Sequence, residues 1–305
     1  MRLISASVGL GGRNKPSDVA LVQQLLNGFT SPYKLTIDGL VGRQTIAAIG
    51  EFQKAVVKLP RPDFLISPYG KTQKRLGKLA PERLKKLSTT LSPIRCDRFI
   101  LLYCKEYKPL LSANSKGLTQ LLGFVSNDKD VRDVRWAAYM LATAMHETAR
   151  TWLPIEEYGK GKAMKYGREL EISDKAGKKY KNAYFGRGYV QLTWDFNYKS
   201  VGESIGLGDQ LYFHPERALD PVIAYKIMSH GMRNGTFTGK RLSDYISDTS
   251  ADYYNARRII NGLDKAELIR GYAKSLEQLL RLSQSEVNPL PVIIDWIPPR
   301  RTRMA

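Results

Sequence analysis

Cysteine is scarce in this chain, which contains only Cys96 and Cys104 among its 305 residues. If the segment between them is helical, the two residues lie ~12 Å apart along its axis, which is too far for a disulfide. We therefore expect two buried thiols in a protein made in a reducing cytosol.

Long apolar runs are also missing. No uncharged stretch approaches the ~18–20 residues that a membrane-spanning helix needs. The N-terminal segment, Met1 to Gly12, holds one arginine and a short apolar stretch diluted by glycine and serine, without a clear small-residue cleavage site. We therefore expect neither a membrane span nor a cleaved secretory signal.

Histidine is the third scarce residue type, with only His146, His214 and His230. His146-Glu147 could begin a zinc-protease motif, but that motif needs a second histidine four residues after the first, and this position is Arg150. We therefore expect no metal site and no cofactor.

Positive charge, by contrast, is abundant. The chain has 48 Lys and Arg against 29 Asp and Glu, a formal net charge of +19. Such a surface attracts anionic envelopes or polyanions. No helix-turn-helix, zinc or RNA-binding motif supports nucleic acid as the partner. The apolar fraction of 43% is enough for an ordinary soluble core and argues against global disorder.

Residues 1–77 form the first predicted unit. Two helices are indicated by apolar residues at helical spacing, namely Val19, Val22, Leu25 and Leu26, and then Ile46, Ile49, Phe52 and Val56. Gly70 to Leu76 indicates a short third helix. The pattern resembles the three-helix type of peptidoglycan-binding domain. The matching residues are Val22–Leu26, Ile37-Asp38-Gly39, Gly42, Thr45, Ala48-Ile49 and Phe52-Gln53.

The rest of the chain divides into three predicted segments. Residues 78–95 are interpreted as a basic linker, residues 96–285 as a larger, mainly helical domain, and residues 286–305 as a basic tail with four prolines. We find no internal repeat and few strands. The predicted fold class is mainly α, and a monomer is the default expectation.

A helix that ends near Glu147 is the first feature with chemical interest. It is indicated by apolar residues every three to four positions: Val131, Val134, Ala138, Leu141 and Met145. His146 and Glu147 fall near its C-terminal end. Pro154 cannot be accommodated in a helix interior, so the helix should stop near Leu153 or earlier.

This predicted break determines where a second carboxylate lies. On one continuous helix, Glu147 and Glu156 would point to opposite faces, ~13.5 Å apart along the axis. A break at Pro154 lets the chain turn back, so that Glu156 faces Glu147 across a cleft. Inverting glycosidases hold two carboxyls ~6.5–9.5 Å apart around a water molecule, one as general acid and one as general base. Glu157 is a neighbour that could be confused with Glu156.

A second informative stretch runs from Tyr184 to Tyr198. Two glycines flank Arg187, and apolar and polar residues then alternate. This is typical of a tight turn into a short strand or helix, and it would also suit a cleft wall. Glycine permits close approach of a sugar to the backbone, while Gln191 and Thr193 would supply hydrogen bonds.

These segments together resemble glycoside hydrolase family 19, which contains chitinases and many bacteriophage endolysins. The matching motifs are His146-Glu147-Thr148, Tyr184–Gly188 with Gln191-Leu192-Thr193, Arg258–Gly262, and Arg270-Gly271-Tyr272. They span most of residues 130–275. The resemblance implies a helical, lysozyme-like catalytic domain.

The resemblance also implies roles for individual residues. Glu147 would be the general acid, Glu156 the general base, and Thr193 would help to hold the attacking water. The implied substrate contacts are His146, Tyr184, Arg187, Gln191, Tyr198, Asn261 and Arg270. Asn261 and Arg270 would line the substrate or tune the acid.

Three departures favour the bacterial or phage branch of the family. Ala149 stands where chitinases usually have glycine, residues 158–183 form a Lys- and Gly-rich loop of their own, and plant-type disulfides are absent.

The two resemblances imply a modular endolysin that hydrolyses the β-1,4 bond between N-acetylmuramic acid and N-acetylglucosamine in peptidoglycan. It would wait in the host cytoplasm until a holin releases it to the periplasm and cell wall, and it could also contact the anionic outer membrane. The alternatives are a chitinase acting on N-acetylglucosamine polymers, a lytic transglycosylase, which needs only one glutamate, and a non-catalytic wall-binding protein.

Overall fold

The computed structural model describes residues 3–27, 29, 35–79, 89–247 and 250–284. The predicted tail, residues 286–305, and the central part of the predicted linker, residues 80–88, lie outside the described residues. Within the described part the chain is mainly helical, which confirms the predicted fold class. These residues divide into two compact units.

The first unit contains the described residues up to Leu79 together with Leu101–Lys108. Its helices are α1 (Pro16–Leu26), α2 (Arg43–Phe52), which a π-turn extends over Gln53–Val57, and α3 (Lys71–Leu79). Strands β1 (Val8–Gly9) and β2 (Leu65–Ile66) pair antiparallel. The three helices predicted from the spacing are therefore present, and their apolar faces share one core.

One helix, which begins at Cys96, contributes residues to both units. Helix α4 (Cys96–Glu106) is continuous, and its residues from Leu101 onward group with the first unit. Glu106 explains this placement, because its side chain is only 1% exposed and its Oε1 lies 2.6 Å from Lys15 Nζ. Both cysteines on α4 are free and half-buried rather than fully buried.

A buried glutamine organises the loop after α1. The side-chain amide nitrogen of Gln23 donates to Asp38 Oδ1 and to the Leu40 carbonyl, each at 2.9 Å. The side-chain oxygen of Gln23 accepts from the backbone N–H groups of Asp38 and Gly39 at 3.1 and 3.0 Å. One carboxamide thus satisfies backbone groups that would otherwise be buried without partners.

Gln53 repeats this arrangement after α2, which corrects the expectation of no internal repeat. Its amide nitrogen donates to Asp63 Oδ1 and the Leu65 carbonyl, and its oxygen accepts from the Phe64 N–H at 2.9 Å. The residue after each aspartate has a positive φ, 72° at Gly39 and 58° at Phe64. The two loops share geometry but little sequence, so the repeat is hidden in the sequence.

The second unit contains residues Thr89–Ile100 and Pro109–Ser283. Its longer helices are α5 (Ser112–Asn127), α6 (Val134–Glu147), α7 (Asp195–Ser204), α9 (Pro221–Asn234) and α11 (Ala266–Ser283), and its short helices are α8 (Gln210–Phe213) and α10 (Leu242–Tyr245). Two antiparallel pairs complete it, β3 (Ile155–Glu156) with β6 (Arg187–Gly188), and β4 (Leu170–Ser173) with β5 (Lys179–Asn182). No helix in the described ranges is long and apolar enough to cross a membrane.

Helix α6 is the buried centre of this unit and packs against α11. Asp133 caps its first turn, where Oδ1 accepts from the Arg135 N–H at 2.8 Å. The helix ends at Glu147, before the limit near Leu153 that Pro154 predicts. Ala149, Arg150 and Trp152 then have φ values of 49°, 65° and 61°, so the chain leaves the helix direction before Pro154.

The segment 158–183, expected to be a loop, contains the β4–β5 hairpin. Its register pairs Leu170 with Asn182 and Ser173 with Lys179. Asp174 closes the turn, where Oδ1 accepts from the N–H groups of Ala176 and Lys178 at 3.0 and 2.9 Å. The segment predicted as a loop is therefore a hairpin of two short strands closed by an aspartate turn.

We predict that Gln23→Leu destabilises the first unit by about 2–4 kcal/mol, because it leaves the N–H groups of Asp38 and Gly39 buried without an acceptor. Chemical denaturation of the full chain measures this loss. Gln24→Leu is the matched control, since Gln24 lies on the same helix outside the network. Equal stability of the two variants would contradict the structural role of Gln23.

Candidate active site

Glu147 occupies the last position of helix α6, and its carboxylate is 15% exposed. The hydroxyl of Thr148 donates to the Ala144 carbonyl at 2.7 Å, which closes the final turn of the helix. The carboxylate is therefore held by a buried, rigid element while its end remains open to a cleft.

Arg257 is the partner of Glu147, and the sequence did not reveal it. Its Nη1 donates to Glu147 Oε1 at 2.6 Å, and its side chain is only 5% exposed. Its Nε donates to the Asp264 carbonyl at 3.1 Å, which fixes the guanidinium plane. Arg257 stands one residue before the Arg258–Gly262 motif. This position next to a motif was the only feature of the sequence that could have indicated a role for Arg257.

Glu157 is the second carboxylate of the cleft. Its Oε1 accepts from the Tyr166 hydroxyl at 2.9 Å, and its Oε2 accepts from the Gly186 N–H at 3.0 Å. Burial, followed by the hydrogen bond to Glu157, raises the pKa of Tyr166 to about 12. Tyr166 therefore keeps its proton and remains a donor to Glu157 at neutral pH.

Glu156, the predicted base, is placed differently. It pairs with Arg187 in the β3–β6 ladder, and its carboxylate lies 3.0 Å from Lys160 Nζ and 3.6 Å from Arg187 Nε. It does not line the cleft that contains Glu147 and Glu157. Glu157 directly follows β3, and its N–H donates to the Gly186 carbonyl at 2.7 Å, so the extended pairing continues. Successive side chains of an extended segment point to opposite faces, which separates these neighbours.

The cleft has a volume of about 540 Å³. Besides the two carboxylates, it is lined by Met164, Tyr166, Gly186, Val190, Gln191, Leu192, Thr193, Trp194, Asn197, Phe237, Ile260 and Asn261. Three predicted site residues, Gln191, Thr193 and Asn261, are therefore brought together with Glu147.

Gln191 fixes the wall of this cleft opposite helix α6. Its side-chain nitrogen donates to the carbonyls of Ile155 and Gly188 at 3.1 and 3.2 Å. Its own φ is 52°, and that of Trp194 is 71°. Strained backbone of this kind persists only where the surroundings enforce it, and it clusters at functional sites.

Three predicted substrate contacts are core residues, which corrects their assignment. Tyr184 and Tyr198 are 1% and 0% exposed, and their rings pack edge-to-face. Arg187 is 6% exposed, and its Nη1 donates to the Ala183 carbonyl and the Tyr198 hydroxyl. None of these side chains presents a surface to a sugar.

The two remaining predicted contacts, His146 and Arg270, do not line the cleft. Burial lowers the pKa of His146, and the nearby Arg257 also lowers it, against the opposing effect of Glu147. His146 is therefore neutral at physiological pH. Arg270 pairs with Glu267 on the surface of α11.

Exposed aromatic rings flank the cleft instead. Trp194 is 37% exposed and Phe196 is 60% exposed, and their rings stack with centroids 5.9 Å apart. Tyr166 meets Trp194 edge-on at 5.5 Å. Flat aromatic faces beside hydrogen-bonding groups suit a ligand with both apolar and polar surfaces, such as a sugar chain.

Two carboxylates in one aromatic-lined cleft of a helical domain are the arrangement that glycoside hydrolases use. The family model for glycoside hydrolase family 19, described as chitinase class I, matches residues 107–232. Residues 107–232, less than half of the chain, are therefore similar to a domain of this family.

Curated relatives with endochitinase names are similar over part of the chain. Endochitinase B of Zea mays is 35% identical over 108 residues, 34% of this chain and 35% of the relative. Endochitinase 1 of Theobroma cacao is 36% identical over 117 residues, 34% of each chain. The acidic 26 kDa endochitinase of Solanum lycopersicum is 38% identical over 60 residues, and this chain spans 21% of its length.

Among solved structures, chitinase C from Streptomyces griseus is 27% identical, with a TM-score of 0.41. The match covers 54% of this chain and 83% of that one. This chain therefore spans about a third or less of the curated relatives named above, and more of the solved one.

We predict that Arg257→Gln lowers the free energy of unfolding by about 1–3 kcal/mol, because it removes a charged hydrogen bond to the partly buried Glu147 carboxylate. A double-mutant cycle with Glu147→Gln, followed by thermal unfolding, measures the coupling. The neighbouring, exposed Arg258→Gln is the control and should leave stability nearly unchanged. Additive effects of Arg257→Gln and Glu147→Gln would show that the pair does not interact.

Proposed function

We propose that this chain hydrolyses β-1,4 glycosidic bonds of a wall polysaccharide by general acid–base catalysis. The observation that carries the proposal is the presence of Glu147 and Glu157 in one cleft. Glu147 is the proposed acid and protonates the leaving oxygen. Arg257 stabilises the negative charge that develops on Glu147 as the proton leaves.

In this proposal Glu157, rather than Glu156, is the general base. The donors Tyr166 and Gly186 each hold one oxygen of Glu157, which suits a carboxylate that accepts a proton from water. Thr193, in the same cleft, offers a hydroxyl to position that water. Attack by water from the face opposite the departing oxygen inverts the anomeric carbon.

The proposed substrate is peptidoglycan. The support for this choice is the sequence pattern of residues 1–77, which resembles a peptidoglycan-binding domain, and the three helices found there. The net charge of +19 also favours association with an anionic envelope. We further propose that the protein acts as a phage endolysin, released to the wall at lysis.

Chitin is the second candidate substrate. The curated relatives have names that describe endochitinases, and chitin shares the β-1,4-linked N-acetylglucosamine unit with peptidoglycan. A chitinase would use the same two carboxylates, so the two candidates differ only in the polymer that is cut.

Three Gln substitutions test the carboxylate assignment. Release of reducing sugar from peptidoglycan and from colloidal chitin is measured for the wild type and each variant. We expect Glu147→Gln and Glu157→Gln to lower kcat by about 10²–10⁴-fold, the usual contribution of a general acid or base. Glu156→Gln is the matched control and should keep most of the activity.

The outcomes separate the parts of the proposal. A severe loss in Glu156→Gln with activity retained in Glu157→Gln would reverse the base assignment. Full activity of Glu147→Gln would overturn the proposed acid. Wild-type release from chitin alone would select the second candidate substrate.

A further inference from the structure

A second groove lies in the larger unit, between helices α5 and α9. It has a volume of about 630 Å³ and shares no lining residue with the cleft that holds Glu147. The mechanism proposed above uses none of its residues.

The groove is balanced in charge although the chain is strongly basic. Asp128 and Asp130 oppose Lys226 and Arg233, and the Arg233 Nη2 lies 3.1 Å from Asp130 Oδ2. Burial, followed by Arg233, lowers the pKa of His230, which leaves this histidine neutral. The groove therefore lacks the excess of positive charge that would attract a polyanion.

The floor of the groove offers an apolar face. The rings of Phe124 and Tyr225 lie with centroids 5.3 Å apart and planes tilted by 32°. Tyr225 is buried and Phe124 is half-buried, so the Phe124 ring is the accessible part of this face. Beside them is Gly123, within helix α5, where an added Cβ would meet no atom within 4 Å. Helix packing therefore does not require glycine at this position, although glycine weakens a helix relative to alanine. A side chain here would project into open space at the groove.

Fixed hydrogen-bonding groups stand next to this face. Asp128 Oδ2 accepts from the Tyr225 hydroxyl at 2.8 Å and from the Ser229 hydroxyl at 2.5 Å. Asp128 Oδ1 accepts from the Asp130 N–H at 2.9 Å. The carboxylate is thus held in one orientation, and a carboxylate has about four acceptor sites, so at least one remains for a ligand hydroxyl.

We propose that this groove binds a sugar residue of the uncharged N-acetylglucosamine type, at a second glycan-binding site separate from the catalytic cleft. A pyranose ring has an apolar face that packs on aromatic carbon and hydroxyls that donate to a carboxylate. Charge balance, an aromatic floor and an oriented acceptor match these properties together. The inference rests on the proposed function, because the same polymer would occupy both sites.

Such a site would keep the enzyme on an insoluble polymer between cuts. Two linked sites on one chain raise the effective concentration of the polymer at each of them. Loss of the groove should therefore weaken binding of insoluble polymer. It should not slow cleavage of a short soluble oligosaccharide, because one such molecule cannot span the groove and the cleft together.

Binding is tested by adding the soluble β-1,4-linked tetrasaccharide of N-acetylglucosamine to the full chain bearing Glu147→Gln. Changes in the backbone amide chemical shifts report which residues contact the sugar. We expect shifts both at cleft residues and at Gly123 and Asp130. Gly123→Leu fills the groove, so it should remove the shift changes at the groove and leave those at the cleft. Gly271→Leu is the matched control, since Gly271 is also a helical glycine with nothing within 4 Å of an added Cβ, and it should leave both sets unchanged.

Activity gives the second readout. We expect Gly123→Leu in the otherwise wild-type chain to bind insoluble polymer roughly tenfold more weakly, as one lost contact can produce, and to cut the tetrasaccharide normally. The melting temperature should not fall, because leucine is a better helix former than glycine.

Absence of tetrasaccharide shifts at the groove, or full polymer binding by Gly123→Leu, would overturn the second site while the proposed hydrolysis could still stand. If the wild type cut no glycan, the proposed function would fail. The amide shift changes at the groove would still show whether the second glycan-binding site exists.

Discussion

The end of helix α6 at Glu147 is the constraint on which the catalytic cleft depends. A buried helix fixes the carboxylate in position, and the residues that follow must leave the helix direction at once. Ala149, Arg150 and Trp152 do so with positive φ. Only after this reversal can strand β3 run beside β6 and present Glu157 to the same cleft. Tyr166, Gly186 and Gln191 then hold the opposing wall in place.

The sequence was sufficient to predict this break but not the register that follows it. Apolar spacing located the helix, and Pro154 limited its extent to about Leu153, because both effects are local; the helix ends earlier, at Glu147. Glu156 is the last residue of β3 and Glu157 follows it, so the choice between them depends on which face of this extended segment points inward. A shift by one residue reverses that choice. Pairing of Glu156 with Arg187, 31 residues later, sets the register here.

Long-range partners explain the other differences. Arg257 reaches Glu147 across 110 residues, so no local pattern reveals it. Tyr184, Arg187 and Tyr198 lie in a motif that borders the cleft, yet their side chains turn inward to form the core. A motif identifies the segment that builds a site, while packing decides which of its side chains touch the ligand. The repeated glutamine arrangement of the first unit was hidden for a related reason, because Phe64 stands where the first copy has Gly39.

The central claim is that two carboxylates in this cleft direct water at a β-1,4 bond of peptidoglycan. Mass spectrometry of the soluble products of peptidoglycan digestion tests it most directly. Hydrolysis at the proposed bond predicts fragments that end in reducing N-acetylmuramic acid, with one water added for each bond cut. Fragments that end in 1,6-anhydro-muramic acid would contradict the account, because they form without attack by water and need no second carboxylate.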